Sequence, residues 1–151
     1  TMIGLNTDIL IKYLIQDDKV QAKVAEDLIE KYFGKPKSLF INNIVLCELI
    51  NFLEKDYKDS KDKIASTLRQ IFSTEEFAFE NQKILWLALE DYEKLDKSFS
   101  EALIFHLNRQ YGFEKTWTFN ENRSDTEDSE HLKELLSSKA IDKFLPAYPA
   151  P

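Results

Sequence analysis

Turn-forming residues are scarce in this chain, with three glycines and four prolines among 151 residues. That is too few for an all-β protein with a tight turn every ~10 residues, and it favours a helix-rich fold. Cysteine occurs once, as Cys47 in an apolar setting, so a disulfide framework is excluded and a reducing cytoplasmic location is expected. No apolar run approaches the ~20 residues that a membrane span requires, so no membrane association is expected. No basic stretch followed by an apolar segment opens the chain, and a secretory leader is not expected either. Positive charge is also short: 20 Lys and Arg against 27 Asp and Glu give a formal net charge of −7. A generic nucleic-acid coat, which grips phosphates with lysine and arginine, is thereby disfavoured. Metal-dependent chemistry at a phosphate is not, because bound cations invert the local sign of an acidic site.

The remaining composition, 43% hydrophobic and 31% charged, is that of a globular domain rather than a disordered chain. The length suits one domain with a single core. Ile3 to Leu5 reads as a strand, and Ile9, Leu10, Tyr13 and Leu14 follow at helical spacing. Val20 to Ile29 continue that period, with Asp17 and Asp18 placed to break and recap the helix and Gly34 to end it. Ser38 to Ile41 reads as a second strand. Asn42-Asn43 then caps a helix carrying Val45, Leu46, Leu49, Ile50 and Leu53. Further helices are expected over Ile64 to Phe72, after Asn81, and from Ser98 to Gly112, with an extended piece at Phe77 to Phe79. Lys115 to Phe119 alternates β-branched and aromatic residues and is predicted to be a strand. A polar loop over 120–130, a turn of helix over 131–136, a strand over 140–145 and a mobile tail complete the reading. Strands alternating with helices imply an α/β fold with a small, mainly parallel sheet flanked by helices in three layers.

Four polar positions fall at comparable points of such a fold. Asn6 follows the first strand, Glu48 lies inside a helix, Glu101 lies near a helix start, and Asn120 follows the Thr116–Phe119 strand. Strand ends of a parallel sheet collect at one edge, where open α/β folds bind ligands. Hard divalent cations there want oxygen ligands, and two-metal nucleases use them to activate water and stabilise the leaving oxygen.

The same residues carry a resemblance. Asn6-Thr7-Asp8 after an apolar strand, Leu46-Cys47-Glu48-Leu49, Ser98-Phe99-Ser100-Glu101-Ala102-Leu103-Ile104, and Gly112 followed by Trp117-Thr118-Phe119-Asn120 occur in order and at suitable spacing. Together they resemble the PIN-domain ribonucleases, particularly the VapC-type toxins, over roughly residues 2–145, leaving 146–151 as the tail. The resemblance implies a PIN-like fold and a Mg²⁺- or Mn²⁺-dependent endoribonuclease. It also implies a toxin paired with an antitoxin protein, a homodimer, and RNA as substrate. It assigns Asn6, Glu48, Glu101 and Asn120 to the catalytic set, with Glu48 and Glu101 as metal ligands, Asp8 as a substitute ligand and Thr118 orienting water or phosphate. The chain departs from the family at the acids. Amides stand at the first and last positions, serine replaces the acid at Ser98, and glutamate lengthens the acid at Glu101. An amide carbonyl ligates Mg²⁺ without adding charge, so a weakened metal site is expected. The alternative is a catalytically inactive PIN-fold module that binds RNA or a protein partner.

Plainer roles exist for most of these residues, Glu48 being the hardest to explain without a cation. Asn6 and Asp8 suit a helix cap, and Ser98-x-x-Glu101 forms a capping box. Asn120 suits a turn. Glu48 on a mostly apolar helix is expected to be buried and to need a partner. Trp86 and Trp117 are expected in the core, and Lys12, Lys115 and Arg123 are candidates to guide a phosphate backbone.

Overall fold

The computed structural model describes residues 2–120 and 148–151, which divide between two compact units, 1–107 and 108–151. The first unit runs β1 (Ile3–Gly4), α1 (Thr7–Leu14), α2 (Lys19–Glu30), β2 (Leu39–Ile41), α3 (Asn43–Lys55), α4 (Lys61–Ser73), β3 (Phe77–Phe79), α5 (Gln82–Lys94) and α6 (Phe99–Gln110), the last crossing its boundary. The strands form one sheet in the order β1-β2-β3. Both pairings are parallel, with Ile3 opposite Leu39 and Leu39 opposite Phe77. Parallel neighbours need a crossover, and each is a pair of helices, α1–α2 and α3–α4. The expected α/β fold with its small parallel sheet and flanking helices is the one observed.

Local chemistry sets the boundaries. Asp18 accepts from the amides of Val20 and Gln21, both at 3.0 Å, and so starts α2 after the break that Asp17 and Asp18 foretell. Gly34 holds φ +78° just beyond α2, a left-handed backbone that favours glycine. Gly112 does the same after α6, at φ +89°. Helix α4 is longer than its apolar period because Ser60 caps it, accepting from Lys63 N at 3.2 Å.

The core of this unit gathers one stripe from each helix. In β2, Leu39 and Ile41 are buried, while Phe40 on the opposite pleat is 37% exposed. Phe72 of α4 packs edge-on against Phe79 and Trp86, each at 5.5 Å between ring centroids, and Phe99 stacks obliquely at 6.4 Å. Burying a ring of this size contributes about 1.5–3 kcal/mol by area. Phe99, fully enclosed, therefore pins the first turn of α6 to the core and fixes where Ser98 to Glu101 begin. Trp86 is only partly covered, at 38% exposed, and is not the core residue expected. It sits on the solvent side of Phe72, one ring into the cluster.

In the second unit, Phe113 N and Tyr111 N both donate to the Asn108 carbonyl, and the Asn108 amide donates to Thr116 Oγ1 at 3.0 Å. Residues 115–119 form no strand, contrary to the alternation there. Strand preference is a preference for a pleated, half-buried surface. Trp117 and Phe119 on this segment are 55% and 69% exposed, so its alternation buries no face, and Trp117 is not in the core. The loop expected over 120–130 beyond Asn120, the helical turn over 131–136 and the strand over 140–145 lie outside the described residues, as do Arg123 and the first two tail positions. Residues 148–151 carry no helix or strand and are exposed.

Candidate functional site at the strand ends

Each strand of the sheet runs, at its carboxyl end, into a helix capped by asparagine. Asn6 follows β1 and accepts from Thr7 N at 2.8 Å. Asn42 follows β2 and accepts from Val45 N at 2.9 Å. Asn81 follows β3 and accepts from Ile84 N at 3.1 Å. The N-termini of α1, α3 and α5 are thus gathered along one edge. The amide ends of helices carry partial positive charge and favour anions, phosphates among them. An acidic protein thereby holds an edge whose backbone suits a phosphate chain.

Glu48 reaches this edge from the side. On α3 the buried arc is Val45, Leu46, Leu49, Ile50 and Leu53. At 100° per residue, Glu48 stands about 130° away from the middle of that arc. It is accordingly exposed rather than buried, which corrects the expectation. Its Oε1 accepts a hydrogen bond from Thr7 Oγ1 at 2.8 Å. One contact across 41 positions therefore brings Asn6, Thr7 and Glu48 together. Thr7 was not among the candidate residues; its only signal was its place between Asn6 and Asp8.

Asp8 lies in the first turn of α1, which begins at Thr7, so residues 6 to 8 are not a continuous extended run. Asp8 is exposed and its Oδ1 accepts from Ile9 N at 2.9 Å. Glu101 is half-buried in the first turn of α6, where its amide donates to Ser98 Oγ at 3.1 Å. The serine half of the capping box is thereby formed. That turn lies beside α3, since Cys47, Asn51 and Glu54 share one depression with Ser98 and Ser100. Asn120 belongs to the second unit, where its amide donates to Thr118 Oγ1 at 3.2 Å. Lys12 is engaged by Asp17 at 3.0 Å, which makes it a poor guide for phosphate. Burial raises the Cys47 thiol, so it is a packing residue rather than a nucleophile.

Among the described residues no three carboxylate, imidazole or thiolate side chains come together in a way that could hold a metal ion. The donors at the edge are oxygens: the Asn6 amide, the Thr7 hydroxyl and the Glu48 carboxylate. Separate from these, Asn43 Oδ1 in the first turn of α3 is a buried oxygen with no hydrogen-bond partner among the described residues. Leaving such an acceptor unmet costs about 1–3 kcal/mol, so it is an oxygen in want of a donor or a cation. The set fits a hard cation such as Mg²⁺ or Mn²⁺ better than zinc, with little anionic charge to hold it.

A family profile described as PIN domain matches residues 3–139, and the chain belongs to that family. Among characterised relatives it is 25% identical to a protein named VapC ribonuclease from Aquifex aeolicus (strain VF5), over 115 residues. That alignment spans 76% of this chain and 84% of the relative. No solved structure matches.

Proposed function

We propose that the protein is a metal-dependent PIN-type endoribonuclease with a weakened cation site, acting as the toxin of a toxin–antitoxin pair. The single observation that carries this is the Thr7–Glu48 hydrogen bond, which joins the first helix start to the acid of α3. Membership of the PIN family and likeness to a VapC ribonuclease support it. In this reading Glu48 and Glu101 would hold Mg²⁺ or Mn²⁺, with Asp8 as a substitute ligand and Asn6 as a neutral member of the shell. A cation bound there would lower the pKa of a water so that it loses its proton and attacks the RNA phosphodiester, and would add charge to steady the leaving 3′-oxygen. Thr7 holds the Glu48 carboxylate in one orientation, and the helix N-termini receive the phosphate chain. A homodimer in the cytoplasm, silenced by an antitoxin protein, completes the reading.

The acid-poor edge favours one other reading, a PIN-fold module without catalysis that binds RNA or a protein partner. The test is calorimetric titration with Mg²⁺ and Mn²⁺ alongside cleavage of a labelled RNA, repeated with Glu48→Gln. Binding between micromolar and low millimolar, 5′-phosphate products and loss of both in the variant are expected. No heat and no cleavage, even in Mn²⁺, would leave the inactive module standing.

A further inference from the structure

At the other end of the sheet, beside the amino end of β3, lies a cavity of ≈ 210 Å³. It is walled by Leu10 of α1, Ile29 of α2, Ile71 of α4 and Phe77 at the start of β3. A dry cavity of about 150 Å³ accommodates benzene, so this one has room for a ring and a short arm. Its polar lining includes the Tyr13 phenol, the Gln70 amide and the Glu76 carboxylate. Glu76 Oε2 accepts from Gly34 N at 3.0 Å, which anchors the side chain and leaves its other oxygen for a ligand.

Among the described residues Glu76 is the one charged residue of the cavity lining, while the Lys37 ammonium lies beside it, 3.2 Å from the Phe77 carbonyl. Besides burial, the fields of Glu26, Glu30 and Glu76 raise the Tyr13 phenol above its ordinary value. Among the described residues none of the three glutamates has a lysine or arginine within ion-pair distance. Lys23, which feels Glu26 and Glu30, is bound to Asp27 at 3.0 Å. Apolar walls beside the Glu76 carboxylate, with Glu26 and Glu30 adding negative field at Tyr13, select a body that is greasy at one end and cationic at the other.

We propose that this cavity binds a small primary amine bearing a single ring or short aliphatic body. The body lies against Leu10, Ile29, Ile71 and Phe77, and the ammonium meets Glu76 with the Tyr13 and Gln70 oxygens as neutral acceptors. The site stands apart from the Asn6–Glu48 edge, at the opposite end of the same strands, and does not depend on the nuclease reading.

The test is a titration of the full-length ¹⁵N-labelled protein with phenethylamine, 3-phenylpropionate and 3-phenylpropanol, which share a ring and differ in charge. The amine is expected to shift the amides of Leu10, Ile29, Ile71 and Phe77 saturably, with a Kd near roughly 1 mM for a ligand of this size. The acid is expected to bind at least about tenfold more weakly and the alcohol in between. Glu76→Gln, which keeps an acceptor for Gly34, should weaken the amine several-fold. Glu30→Gln, at an exposed position, should do so by a smaller factor, and it preserves the test should Glu76→Gln disturb the fold. Equal binding of amine and acid, shifts confined to other residues, or no saturation at tens of millimolar would overturn the proposal.

Discussion

The two ends of the one sheet are built from opposite materials. At the carboxyl ends, three asparagines open three helices and an exposed glutamate leans in to meet Thr7. At the amino ends, buried apolar side chains close around a cavity, and several of the polar groups nearby spend hydrogen bonds on local backbone. Ser38 donates to the Lys35 carbonyl at 2.7 Å and Thr74 to the Gln70 carbonyl at 2.7 Å. Stability is concentrated where polar atoms are satisfied at home. At the carboxyl ends, an orphaned oxygen at Asn43 still has a bond to make.

Substitutions at the two ends break that contrast if it is wrong. The largest effect is expected at the amino end: Phe77→Ala, at a 5% exposed position, should cost about 3–5 kcal/mol in urea unfolding. Asp18→Ala removes the acceptor for two α2 amides and should cost about 1 kcal/mol in the same assay. At the carboxyl end, Glu48→Gln should change stability by no more than about 0.5 kcal/mol while abolishing cation binding. A loss near that of Phe77→Ala would mean that Glu48 is structural. The smallest effect appears only in alkali. Burial, then the hydrogen bond to Glu54 at 2.9 Å, raises the Tyr92 hydroxyl well above its usual value. A raised folded-state value stabilises the protein fully below the unfolded value near 10, and that contribution fades as pH climbs beyond it. Stability should therefore fall above about pH 10, and Tyr92→Phe should fall less steeply on spectroscopic titration.

Much of the architecture was legible because its signals are local. Asp18, Asn42 and Asn81 sit where a short polar side chain precedes an apolar period, and each caps the helix that follows. Gly34 and Gly112 mark stops for the same reason. The misreadings concern position relative to distant chain. Lys115 to Phe119 has strand-like chemistry, but a strand is made by its neighbours and no local rule supplies one. Glu48 was expected in the core because its helix is apolar, whereas its angle around the helix turns it outward. Trp86 fits the apolar stripe by type, yet lies on its shoulder. Of the candidate site, Asn6 and Glu48 meet through Thr7, whose part becomes visible only when two helices 41 positions apart are seen together.

The amide caps have a consequence for acidity. Asparagine neither gains nor loses a proton in ordinary buffers, so these three caps hold a constant charge. Whatever binds along Asn6, Asn42 and Asn81 should do so with the same strength in mild acid as in mild alkali. Any proton-linked change in its grip then traces to the carboxylates proposed beside them, Glu48, Glu101 and Asp8, or to the bound molecule itself.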